Sequence, residues 1–170
     1  MLLPLWYPFT KRKMPVKGFT VDSSVLVKWF KKGEEFDEEA TRLREEVLNG
    51  LITLTVSEWT LLEVARALMK VNFPREKVYG SYSLLKELAD LGFLTVISVS
   101  IVRDLAAEFV VELNLFASDA VHAATAAKAG LDLVTEDEHL LRSGVKVALR
   151  EHGIRILRLK DIFEGVGFRR

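Results

Sequence analysis

The chain has 170 residues, 49% of them hydrophobic, which is enough for one domain with its own core and no covalent staples. It contains no cysteine, and that excludes disulfides, thiolate metal sites and thiol nucleophiles. Its 24 basic and 24 acidic side chains cancel, so the net field singles out neither nucleic acid nor membrane, and no apolar run reaches the roughly 18 residues of a membrane span. Glutamine is absent, asparagine occurs only at Asn49, Asn72 and Asn114, and Lys, Arg and Glu are plentiful, a pattern that suggests a cytoplasmic protein of a thermophile.

Residues 1–18, MLLPLWYPFTKRKMPVKG, read as an N-terminal extension that is apolar first and basic second, the reverse of a secretory signal. Two readings stand. Met14 is favoured as the natural start, because MPVKGF leads straight into a strand; otherwise Leu2 to Phe9 pack on the body or on a partner, and Trp6, Tyr7 and Phe9 beside Lys11, Arg12 and Lys13 would suit base stacking.

Residues 19–22 predict a short strand ending in Asp22, and Ser23 or Ser24 opens a helix with Val25, Leu26, Trp29 and Phe30 inward. Lys28, Lys31 and Lys32 fall on its polar side and Gly33 closes it. An amphipathic helix over 36–48 ends at Asn49-Gly50, and 52–55 is the next strand. Ser57 caps a helix over 58–71 in which Trp59, Leu62, Ala65 and Leu68 give helical periodicity, with Asn72 and Pro74 at its end. A helix over 74–91, a strand over 93–97 and a helix from Ser100 to about 115 follow. In ASDAVHAATAAKAG, Ser118 is the expected N-cap, Asp119 lies in the first turn, and six alanines make a helix able to lie very close to a sheet before Gly130 ends it. Residues 131–134 form a strand, and Thr135-x-x-Glu138 predicts a capping box opening another helix with Asp137 in its first turn. A last strand over 154–157 and a short helix over 160–164 complete the domain, with 165–170 as a tail. The fold class is α/β: about five parallel strands covered by helices on both faces, a three-layer α/β/α arrangement in a single domain over 19–164.

Asp22 and Asp137 follow strand ends, and Asp119 starts a helix on the same side of the sheet. Ligand sites in such sheets form outside the carboxyl ends of the strands, so the three acids can converge. Each taken alone has a plain alternative as a helix-capping carboxylate. Glu63 lies on an otherwise apolar face and is the fourth candidate, its alternative being a surface pair with Arg66 or Lys70. It is preferred to Glu58, whose first-turn position already has a dipole explanation. His122, one turn after Asp119, either touches the same cleft or is a partly buried histidine with a local hydrogen bond. Arg66, Lys28, Lys31, Lys32, Arg142 and Arg150 are available for phosphate contacts or for a solvated face.

The succession TVDSSVL, SEWTLLEVARAL, ASDAVHAATA and LVTEDEHLL resembles the PIN-domain ribonucleases, and within them the VapC toxins of toxin–antitoxin pairs, over residues 19–159. The resemblance implies Asp22, Glu63, Asp119 and Asp137 as catalytic, metal-binding acids, with Ser24 and Thr135 as supporting polar residues. Glu136 and Glu138 flank the fourth acid and compete with it. Further implications are an RNA substrate cut to leave 5′-phosphate and 3′-hydroxyl ends, Mg²⁺ or Mn²⁺ as cofactor, and a cognate antitoxin seated near residues 25–30 and 36–68; the apolar helix over 74–91 is the alternative interaction surface, one that would support a homodimer. The chemistry is coherent. Two carboxylates about 4 Å apart repel by roughly 4 kcal/mol at an effective dielectric near 20, and a hard divalent cation removes that cost. The alternative is a catalytically silent PIN-fold module that binds RNA or protein. A haloacid-dehalogenase-like phosphatase would need a second acid where Ser24 stands, and a response-regulator receiver would need paired acids before the first helix.

Overall fold

The computed structural model describes residues 16–164. The expectations for the extension, including the start at Met14 and the Trp6, Tyr7 and Phe9 cluster, and for the tail from 165 lie outside the described residues.

Five parallel strands form one sheet in the order β3-β2-β1-β4-β5: β1 (Lys17–Val21), β2 (Ile52–Ser57), β3 (Leu94–Ile97), β4 (Leu133–Val134) and β5 (Ile156–Leu157). Thr20 is level with Thr55 of β2 on one side and with Leu133 of β4 on the other. The chain therefore walks outward from β1 to β3, returns, and inserts β4 on the opposite flank of β1. That reversal is the switch point at which a parallel sheet leaves a crevice.

Helices cover both faces. On one side lie α1 (Ser23–Leu26), continued by a 3₁₀ turn over Val27–Trp29, then α2 (Asp37–Leu48), α3 (Glu58–Lys70) and α4 (Arg75–Asp90). Their Leu26, Leu43, Val64, Leu68 and Leu85 bury against Phe19, Val21, Leu54 and Val56. On the other side, α5 (Val99–Leu113), α6 (Ala117–Ala129) and α7 (Ser143–Glu151) pack Phe109, Ala120, Ala123, Ala124, Ala126 and Leu149 around Leu133 and Ile156. The short α8 (Asp161–Glu164) returns Ile162 to the first cluster. Among the described residues no helix is long and apolar enough to cross a membrane.

The structure departs from the expected elements where a distant partner outbids a local one. After Thr135 there is no helix: the backbone turns irregularly to Arg142. The Thr135 N–H goes to Leu157 O across β5 (3.0 Å), and its hydroxyl accepts from the Asp137 N–H (2.9 Å), so no capping box forms. The helix α7, absent from the sequence reading, starts instead at Ser143. Ser118 is not the N-cap of α6. Phe116 occupies that position without a side-chain cap bond, and Ser118 lies inside the first turn. Lys28 is not on a polar face: it is buried, its Nζ donating to Glu35 O (2.9 Å) beside Glu34 (3.5 Å). On α3 the buried residues are Thr60, Leu61, Val64 and Leu68, and Trp59 and Leu62 of the expected periodic set face outward.

Candidate functional site

Asp22 is the N-cap of α1 and is almost fully buried at the end of β1. Its Oδ1 accepts from the Ser24 N–H (3.0 Å) and the Ser24 hydroxyl (2.5 Å), while its Oδ2 accepts from the Thr135 hydroxyl. The Ser24 oxygen in turn accepts from the Glu136 N–H (2.8 Å), tying the segment after β4 to that after β1. Asp22 is thus held in a single orientation by groups from both sides of the switch point. Burial pushes its carboxyl up despite these bonds and despite the nearby His122, and the charge of Asp137 adds to the rise.

Asp119 stands in the first turn of α6, buried, with Oδ2 enclosed and without a hydrogen-bond partner. A first-turn carboxylate is ordinarily favoured by the helix dipole. Here burial comes first, and the charges of Asp137 and Asp22 follow, and together they push the Asp119 carboxyl up to about 6, with His122 and His139 opposing. The alanines after it explain its depth. Ala120, Ala123, Ala124 and Ala126 are fully buried, so α6 carries its N-terminus close against the carboxyl edge of the sheet.

His122 joins the fourth acid to the other three. Its Nε2 lies 2.6 Å from Glu63 Oε2 and its Nδ1 3.4 Å from Thr60 Oγ1, so α3 and α6 meet through one imidazole. Burial alone would lower its pKa, but the Glu63 hydrogen bond and the charges of Asp22, Glu63 and Asp119 raise it. When protonated, the ring can donate to both partners. Its one-turn spacing from Asp119 was the available signal in the sequence; its bond to Glu63, 59 residues away, was not legible there.

The competing acids separate cleanly. Glu136 accepts from Arg158 Nη1 (2.9 Å) and from the Leu159 N–H (2.7 Å), and Glu138 accepts from Arg158 Nη2 (2.7 Å). Both face β5. Asp137, whose Oδ1 accepts from the His139 N–H (2.7 Å), is the one of the three that acts electrostatically on Asp22 and Asp119. Glu58 is likewise occupied elsewhere, accepting from Ser98 Oγ (3.1 Å) and the Val99 N–H (2.9 Å) at the start of α5.

The charges of Asp22, Asp119 and Asp137 thus act on one another, and Glu63 is linked to them through His122. Among the described residues, no three His, Asp or Glu side chains stand close enough together to hold an ion as they are arranged. Lys31 is paired with Glu34 and Lys32 donates to Thr41 Oγ1, whereas Arg66, Arg142 and Arg150 are exposed and make no ion pair among the described residues.

The family model for the PIN domain matches residues 19–146. Among solved structures, the fold is similar to that of VapC20 from Mycobacterium tuberculosis, described as a sarcin–ricin loop cleaving toxin, at 18% identity and a TM-score of 0.56, covering 71% of this chain and 90% of that one. It is also similar to VapBC2 from Rickettsia felis bound to a DNA fragment from their promoter, at 16% identity and a TM-score of 0.57, covering 83% and 98% of the two chains. At these identities the likeness is one of fold. No curated protein matches the chain.

Proposed function

Because this chain belongs to the PIN-domain family, we propose that it is a metal-dependent endoribonuclease, the toxin half of a type II toxin–antitoxin pair. The observation that carries the reading is Asp119: a buried carboxylate with an unpartnered Oδ2, pushed up to about 6 by burial first and by the charges of Asp137 and Asp22 beyond what His122 and His139 offset, is a group that a cation would relieve. The donor set fits a hard divalent ion, being carboxylates with no thiolate, so Mg²⁺ or Mn²⁺ held by Asp22, Glu63, Asp119 and Asp137 is the expected cofactor. When bound, such an ion supplies a Lewis acid that positions a water and offsets charge at a phosphodiester.

The chain's own residues supply the rest. Ser24 and Thr135 hold both oxygens of Asp22, α6 presents Asp119 from a rigid helix end, and His122 holds Glu63 at the rim. RNA cut by water in this way would carry 5′-phosphate and 3′-hydroxyl ends. The test is cleavage of RNA by the purified full chain, abolished by chelator and restored by Mg²⁺ or Mn²⁺. Cleavage indifferent to chelator would point to different chemistry.

One observation favours the silent-module alternative: Glu63 is engaged by His122 rather than free to face the other acids. Protein that binds RNA or an antitoxin but leaves every RNA intact with either metal present would support it. For the antitoxin, the apolar groove of about 410 Å³ between Trp29 and Phe30 and the α4 residues Lys77, Ser81 and Leu84 is the proposed seat. A homodimer through the exposed face of α4, where Tyr79 is 74% exposed, is the proposed assembly, and the cytoplasm the proposed site of action.

A further inference from the structure

The solvent-facing side of α3 carries two large apolar side chains beside two charged ones. Trp59 is 46% exposed and Leu62 54%, and Glu63 and Arg66 complete a stripe at helical spacing i, i+3, i+4, i+7. Across from it stand Ala117 and Ser118 in the first turn of α6, and these residues line an open surface groove of about 420 Å³. That volume lies in the range of pockets that hold a small organic group. Glu63 lines this groove and bonds His122, on which the charges of Asp22 and Asp119 act, so the groove adjoins the acids through that one residue pair. Arg66 is exposed and without an ion pair among the described residues, leaving one uncompensated positive charge along the groove.

A flat indole, an aliphatic neighbour and a guanidinium in one short groove beside a cluster of acids fit a base joined to a phosphate better than a protein helix, which would need a longer apolar trough. We propose that this groove is a nucleotide subsite for single-stranded RNA, in which a base stacks on Trp59 while Arg66 takes an adjoining phosphate. The subsite rests on the nuclease reading for its substrate class. Stacking is indifferent to which base is offered, so the groove sets the requirement for an unpaired nucleotide and contributes little to sequence choice. A duplex cannot enter, because its bases are already stacked on one another.

The test measures binding of a fluorescently labelled single-stranded oligoribonucleotide of mixed sequence to the full chain carrying Asp119→Asn, which prevents turnover. Adding Trp59→Ala is expected to weaken binding about ten- to hundredfold, Trp59→Phe to restore most of it, and Arg66→Ala to weaken binding and lower the salt slope by about one. The same RNA annealed to its complement should bind with no dependence on Trp59. An unchanged melting temperature, expected for an exposed side chain, separates this loss from misfolding. Single-strand affinity that Trp59→Ala leaves unaltered overturns the subsite, as does a parent that binds no single-stranded RNA. So does a groove whose loss releases only a protein antitoxin. The two readings fail separately. Cleavage by otherwise unmodified protein that is indifferent to Trp59→Ala removes the subsite and keeps the nuclease, whereas Trp59-dependent RNA binding without cleavage in Mg²⁺ or Mn²⁺ removes the nuclease and keeps the subsite.

Discussion

Asp119 carries a cost that the metal-free fold cannot relieve. Its carboxyl is pushed up to about 6 in the folded chain from an ordinary 3.8, a rise worth about 3 kcal/mol at neutral pH. An acid with a raised folded-state pKa binds more protons folded than unfolded between these two values. Its penalty is therefore full above 6 and gone below 3.8. Asp22 is raised as well and acts in the same direction. His122 agrees in sign: its raised pKa gives stability that is present below the ordinary histidine value and lost as pH climbs through the raised one. The chelated protein should accordingly melt higher at pH 5 than at pH 7.5, which thermal unfolding across pH checks; a steady rise with pH would contradict the crowded pit. Asp119→Asn removes the charge and keeps the shape, so it should abolish cleavage while raising the metal-free melting temperature by about 5 °C. Of these residues the acids were legible in the sequence, since each follows a strand or opens a helix. The pairing of His122 with Glu63 was not, because nothing local to either one selects the other.

At the level of elements, α6 shows how composition positions a site. Its Ala120, Ala123, Ala124 and Ala126 are fully buried in the cluster that holds Leu133 and Phe109, and this close approach is what brings the Asp119 end of the helix down to the switch point. Ala124→Leu would force at least three extra carbons into a filled space and should cost about 3 kcal/mol in denaturant unfolding, with cleavage falling as the helix shifts. A change under about 0.5 kcal/mol would mean that α6 is not closely packed. The segment after β4 teaches the converse lesson. Thr135 and Glu138 have the spacing of a capping box, but Thr135 donates to Asp22, and Arg158 takes Glu138 outward together with Glu136. The local rule lost because charge-assisted bonds to groups brought in by β1 and β5 are stronger than a neutral cap. Leaving the chain irregular there is also what lets Asp137 alone turn toward Asp22.

For the whole molecule, the metal proposed for these acids would couple to stability. An ion that binds the folded chain and not the unfolded one stabilises it by about 2.7 kcal/mol at a hundred times its dissociation constant. Saturating Mn²⁺ should therefore raise the melting temperature of the unmodified protein by several degrees and that of Asp119→Asn much less. The effect should fade below pH 6, where a proton competes for Asp119. An equal shift in both proteins would locate the ion elsewhere.

The alternation of short apolar strands with amphipathic helices, the acids at their junctions and the small-residue face of α6 were all set by the sequence itself, because hydrophobic period, turn chemistry and side-chain size act over a few neighbouring residues. The order β3-β2-β1-β4-β5, the pairing of Glu136 and Glu138 with Arg158, and the imidazole bridge to Glu63 were decided only by the tertiary structure. Those outcomes are competitions among partners tens of residues apart, settled by which groups lose water together, and desolvation is a property of the assembled fold.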